Sequence, residues 1–139
     1  RWKRRKAQPA ATAESLQLPH EKALANLQAL EEQQLWQQGY IKEYHDQLTD
    51  IVRDYLERIL EIQAMELTTS EIMEALANKP LSAEQQRQLQ ELFTMADMAK
   101  FARAQPSSEE NKRALSVAYQ FIRESSSVRN SAAHESDTT

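Results

Sequence analysis

One glycine in 139 residues restricts this chain more than any other feature. Adding the four prolines brings these turn formers to about 4% of the chain, where average usage gives about 12%. Sandwiches, barrels and phosphate-cradling loops need turn glycines in number, so all-β folds and Gly-rich nucleotide loops are nearly excluded. The surplus residues, Gln, Glu, Ala and Leu, lose little freedom on entering a helix. The fold class is therefore all-α, and 16.0 kDa leaves room for one domain and short extensions. With no cysteine, disulfides, thiolate zinc sites and cysteine nucleophiles drop out, although the compartment stays undecided.

Charge is unevenly placed. Arg1, Lys3, Arg4, Arg5 and Lys6 hold five of the 17 basic residues, leaving 12 against 21 acidic ones, a net of −9 for the body. An acidic body argues against nucleic acid as partner. No stretch approaches the ~20 apolar residues of a membrane span, and no signal peptide is visible. The opening run Arg1, Trp2, Lys3, Arg4, Arg5 and Lys6 has three readings. It resembles the cytoplasmic flank of a transmembrane helix, with Trp2 at headgroup level and the cations stopping translocation. It also suits a nuclear-import or nucleic-acid arm, or an end with no role. The chain starts at Arg rather than Met, which reads as a piece of something longer.

Residues 1–18 are expected to form a basic juxtamembrane segment and linker, 19–124 the helical domain, and 125–139 a disordered tail. Pro19, in Leu18-Pro19-His20-Glu21, sits where a first helical turn tolerates its missing N–H. Leu24, Leu27, Leu30, Leu35 and Trp36 then share a face as far as Gly39, the expected left-handed terminator. The second helix, about Ile41 to Ile62, carries Tyr44, Leu48, Ile51, Val52, Tyr55, Leu56, Ile59 and Leu60. So broad a stripe suits burial in a bundle better than a coiled-coil seam. Thr68 with Glu71, Ser82 with Gln85 and Ser107 with Glu110 each form a capping box, with Thr69 as an alternative first cap. The third helix turns Ile72, Met73 and Leu76 inward. The fourth carries Leu89, Leu92, Phe93, Ala96 and Phe101, and the fifth buries Leu115, Ala118, Tyr119, Phe121 and Ile122. About five amphipathic helices in a compact bundle result, with a long antiparallel first pair.

Chemistry is sparse. His20-Glu21 begins like a zinc-protease motif, but Leu24 occupies the position of the second histidine. His45 is expected on the surface or half-buried. Glu31-Glu32 and Glu109-Glu110 suit solvated faces or first turns, and the serines and threonines fall at caps or in the tail. No catalytic residue, metal ligand or cofactor site is expected. Two groups are candidate protein contacts. Trp36, Tyr40 and Tyr44 straddle the first turn as an aromatic knob, or else close the hairpin. Asp97, Lys100 and Phe101 form a charged corner before Gln105-Pro106, or else a solvated face.

Several segments resemble, in order, the C-terminal cytoplasmic domain of single-pass membrane proteins of the Bacteroides aerotolerance (Bat) operon type. They are Leu35-Trp36-Gln37-Gln38-Gly39, Tyr44-His45-Asp46-Gln47-Leu48-Thr49-Asp50-Ile51 and Asp54-Tyr55-Leu56. Ala64-Met65-Glu66-Leu67-Thr68-Thr69-Ser70-Glu71-Ile72 and Ala96-Asp97-Met98-Ala99-Lys100-Phe101-Ala102 follow, ending at Gln105-Pro106. The series covers about residues 18 to 123. His45 departs from the second aromatic common in related sequences. The resemblance implies a membrane helix just before Arg1 and a place on the cytoplasmic face of the bacterial inner membrane. It further implies a MoxR-type AAA+ ATPase and von Willebrand A-type membrane proteins as partners, in envelope stress or assembly. The expected function is a non-catalytic protein-interaction domain. The alternatives are a nucleic-acid-binding regulator with a basic N-terminal arm and a small enzyme with an unrecognised site.

Overall fold

The computed structural model describes residues 18–138, with side chains through 126. Five α-helices form among the described residues: α1 (Pro19–Gln33), α2 (Ile41–Leu60), α3 (Thr69–Leu76), α4 (Ala83–Ala99) and α5 (Ser108–Thr138). Short 3₁₀ turns at Trp36–Gln38, Ala64–Glu66 and Ala102–Ala104 connect them. The expected all-α bundle is the observed one.

The four long helices form a closed ring of neighbours: α1 on α2, α2 on α4, α4 on α5 and α5 on α1. Lys22 near the start of α1 meets Asp54 near the end of α2 at 3.9 Å, so that pair is antiparallel. Tyr44 and Tyr55 of α2 bond respectively to Asn111 and Ser125 of α5, so these diagonal helices run the same way. The result is an up-down-up-down bundle in which the short α3 packs on α4.

α2, α4 and α5 share most of the interior. On α2, Tyr44, Leu48, Val52, Tyr55, Leu56 and Leu60 are buried, while Ile51 and Ile59 fill its flanks. Each fully buried aliphatic side chain here stabilises the fold by roughly 1.5–3 kcal/mol. Arg53 ties the connection after α2 to the bundle: it donates to the carbonyls of Ala64 and Leu67, both at 2.6 Å. Its guanidinium also lies 4.9 Å from the Phe93 ring centre.

All three capping boxes form. Thr68, rather than Thr69, accepts from the Glu71 N–H, Ser82 from Gln85 and Ser107 from Glu110, with the reciprocal bonds present. Pro19 occupies the first turn of α1.

Four expectations need correction. The first helix ends at Gln33, not at Gly39, because Gln34 turns left-handed at φ 51°. The Gln38 amide then caps the freed carbonyls of Gln33 and Gln34 at 2.9 and 3.0 Å. Likewise α2 stops at Leu60, with Glu61 left-handed at φ 57°. On α5 the buried face is Ala114, Val117, Ala118, Phe121 and Ile122, leaving Leu115 and Tyr119 half-buried. Phe101 lies beyond α4 and is 65% exposed, outside the apolar stripe expected to include it.

Packing is also seen one residue past the expected boundary at 124. Ser125 is buried, and its hydroxyl pairs with Tyr55 at 2.7 Å, so it belongs to the packed domain. The α5 backbone continues to Thr138. Side chains of the expected tail beyond 126, and the whole of the expected linker through 17, lie outside the described residues.

Gly39 has φ 95° in otherwise open space, so an added Cβ meets no neighbour and only the backbone objects. Gly39→Ala is therefore expected to cost about 1–2 kcal/mol, and Gly39→Asn less. Conversely, Gln34→Gly and Glu61→Gly should each stabilise by about 0.5–1 kcal/mol, because a left-handed cap suits glycine. Urea denaturation of the four variants checks both directions.

Candidate functional site

A polar cluster joins α2 to the first turns of α5. Tyr44 donates its hydroxyl proton to the Asn111 carbonyl at 2.8 Å, and the His45 Nε2 lies 2.8 Å from Asn111 Oδ1. An amide oxygen only accepts, so this orientation makes Nε2 the protonated nitrogen of a neutral ring. His45 is completely buried, correcting the expectation of a surface or half-buried position. The Tyr44 and His45 rings meet edge-on at 5.0 Å, and Thr49 donates to the His45 carbonyl at 2.9 Å. Nδ1 of His45 has no hydrogen-bond partner among the described residues. Burial depresses the His45 pKa, opposed in part by the Asn111 bond and by the Asp46 and Glu110 carboxylates. Burial likewise raises the Tyr44 phenol far above its usual range.

Above this cluster the end of α1, the first 3₁₀ turn and α5 enclose a cleft of about 560 Å³. Buried Tyr44 borders it, together with half-buried Trp36, Leu115 and Tyr119. Exposed Lys112, Ser116 and Gln120 follow along the same side of α5. Spacings of three and four put Lys112, Leu115, Tyr119 and Arg123 on one stripe of that helix. The Arg123 guanidinium lies 4.8 Å from the Tyr119 ring centre. Burial first, and then the Glu31 carboxylate, push the Tyr119 phenol upward.

The residues singled out from sequence fall in separate places. Trp36 and Tyr44 meet in the cleft, whereas Tyr40 stands apart at the start of α2, 53% exposed. The aromatic trio is thus divided, with Tyr44 serving as core and Tyr40 as surface. Asp97 and Lys100 lie 3.9 Å apart on the last turn of α4, both exposed, beside exposed Phe101. Arg1, Trp2, Lys3, Arg4, Arg5 and Lys6 lie outside the described residues. Sequence reading missed Asn111 as a buried partner and the cleft-facing role of Leu115, Tyr119 and Arg123. The three-and-four spacing on α5 was the signal available for the latter.

Among the described residues, no group of three His, Asp or Glu side chains gathers to hold a metal. No described helix is long and apolar enough to cross a membrane. Compared with protein-family models, curated proteins and solved structures, the chain matches none.

The His45 geometry has a pH consequence. A histidine whose pKa is lowered on folding binds fewer protons in the folded state, so stability falls as pH falls. The loss begins near the unfolded value of about 6.5 and continues down through the lower folded value. Denaturant titrations from pH 8 to pH 5 should show this loss in the wild type and a smaller one in His45→Gln. That variant keeps a donor for Asn111 but cannot take up a proton. Equal pH dependence in both proteins would rule out His45 as the source.

Proposed function

We propose that this domain is a non-catalytic protein-interaction module of a membrane-anchored protein on the cytoplasmic face of the bacterial inner membrane. Its partners in this reading are a MoxR-type AAA+ ATPase or von Willebrand A-type membrane proteins, in envelope stress or assembly. The supporting observation is Phe101. Two of the three phenylalanines, Phe93 and Phe121, are fully buried, while Phe101 is 65% exposed. Burying an aromatic of that size against a partner yields roughly 1.5–3 kcal/mol. The Asp97–Lys100 pair beside it adds charges that select partners and orientation more than they add affinity. Arg1 to Lys6 would hold the domain against anionic lipid, at about 1 kcal/mol for each cation near the surface.

The test is co-precipitation of the domain with a tagged MoxR-type ATPase and a tagged von Willebrand A-type protein from the same bacterium. Capture of at least one is expected, reduced about tenfold by Phe101→Ala with the melting temperature unchanged. Capture of neither overturns the reading, and undiminished capture by Phe101→Ala removes Phe101 from the contact.

A further inference from the structure

We infer that the cleft between α1 and α5 is a docking site for a peptide segment of a partner that carries an acidic side chain beside an aromatic one. This rests on the reading of the domain as a protein-interaction module and names the chemistry that one face of it recognises.

Charge carries the argument. Without its first six residues the chain is net −9, so a cation here often has an acidic neighbour. Lys22, Lys42, Arg58, Arg87, Lys100 and Arg113 each pair with a described carboxylate. Arg53, Lys79, Arg103, Lys112 and Arg123 have no carboxylate within 4 Å among the described residues, and of these only Lys112 and Arg123 line the cleft. These two cations mark the ends of the cleft wall, about 16 Å apart along α5 at 1.5 Å per residue. A short extended peptide with acidic ends covers part of that distance, at about 3.3–3.6 Å per residue, and the long lysine and arginine side chains reach over the rest.

Arg123 is also held in advance. Its guanidinium lies over the Tyr119 ring, 4.8 Å from the ring centre. A guanidinium positioned in this way offers its forked donors to a carboxylate with less entropy left to lose. Between the cations, Trp36, Leu115 and Tyr119 provide an apolar and aromatic wall. About 560 Å³ accommodates a large side chain with its neighbours, within the usual range of ligand sites.

Nucleic acid fits less well. The acidic body repels a phosphate chain over the distances at which it would be steered in. A peptide meets Lys112 and Arg123 locally without bringing a polyanion against the rest of the surface.

Amide chemical shifts of the isotope-labelled domain, followed during titration with capped tripeptides, test the assignment. Asp-Phe-Asp should move the signals of Trp36, Leu115, Ser116, Tyr119 and Arg123. Lys-Phe-Lys, Asp-Ala-Asp and inorganic phosphate should move them much less. The double variant Lys112→Glu with Arg123→Glu should bind Asp-Phe-Asp at least about tenfold more weakly, the usual scale for reversing contact charges. Arg123→Gln, which removes one charge without reversing it, should fall between. Both changes are at exposed positions, and a retained melting temperature verifies that each variant is folded.

Three results overturn the inference: no shift at these residues, equal response to Lys-Phe-Lys, or phosphate reproducing the Asp-Phe-Asp pattern, which would mean simple anion attraction. Co-precipitation that survives the double variant, with no peptide response, would refute this cleft while leaving the interaction module standing. A clean peptide response with no captured ATPase or von Willebrand A-type protein would do the reverse.

Discussion

The contact of Tyr44 and His45 with Asn111 sets the register of α5 along α2. These helices are diagonal partners in the bundle, where apolar packing alone tolerates sliding or rotation by a fraction of a turn. Two bonds of 2.8 Å converge on one residue at the start of α5, and a third polar pair, Tyr55 with Ser125, repeats the tie further along. Hydrogen bonds between buried groups add about 1 kcal/mol each when made and cost more when one partner is left alone. That asymmetry penalises shifted arrangements that apolar contacts would permit.

The cleft depends on this register. Asn111 anchors α5 so that Ala114, Val117, Ala118, Phe121 and Ile122 point inward. The adjacent stripe, Lys112 to Arg123, is thereby turned toward the end of α1 and the Trp36 turn. The early stop of α1 at Gln33 contributes as well. Had the helix continued to Gly39, Trp36 would extend the α1 face instead of closing the cleft. Capping by Gln38 therefore acts on the surface as well as on the backbone. The Phe101 corner lies past the end of α4 and is not part of the cleft lining.

Legibility in the sequence followed the range of the interaction. Capping boxes at Thr68, Ser82 and Ser107 connect residues three apart, and all were read correctly. The α2 stripe was equally plain, because one helix carries the whole apolar face. Where the partner is remote, the reading failed. Nothing near His45 shows that Asn111, 66 positions later, completes a buried pair. The left-handed ends at Gln34 and Glu61 replace the glycine that such ends usually advertise. On α5 the apolar residues occupy more than half a turn, so sequence alone could not decide whether Leu115 and Tyr119 or Ala114 and Val117 face the interior. Of the candidate contacts, Trp36 and Phe101 stayed at the surface in whole or part, whereas Tyr44 was absorbed by the core because its hydroxyl found the Asn111 carbonyl.

A double-mutant cycle on His45→Phe and Asn111→Leu addresses the register contact directly. Each single variant leaves one buried polar group unpaired and is predicted to lose about 1–3 kcal/mol in urea denaturation. The double variant removes both groups, so it should lose clearly less than the two singles together, with a coupling of about 1 kcal/mol or more. Losses that add to within about 0.5 kcal/mol would mean that the two side chains do not depend on one another. The placement of α5, and with it the cleft, would then have to arise from apolar packing and the Tyr44 and Tyr55 hydrogen bonds without His45.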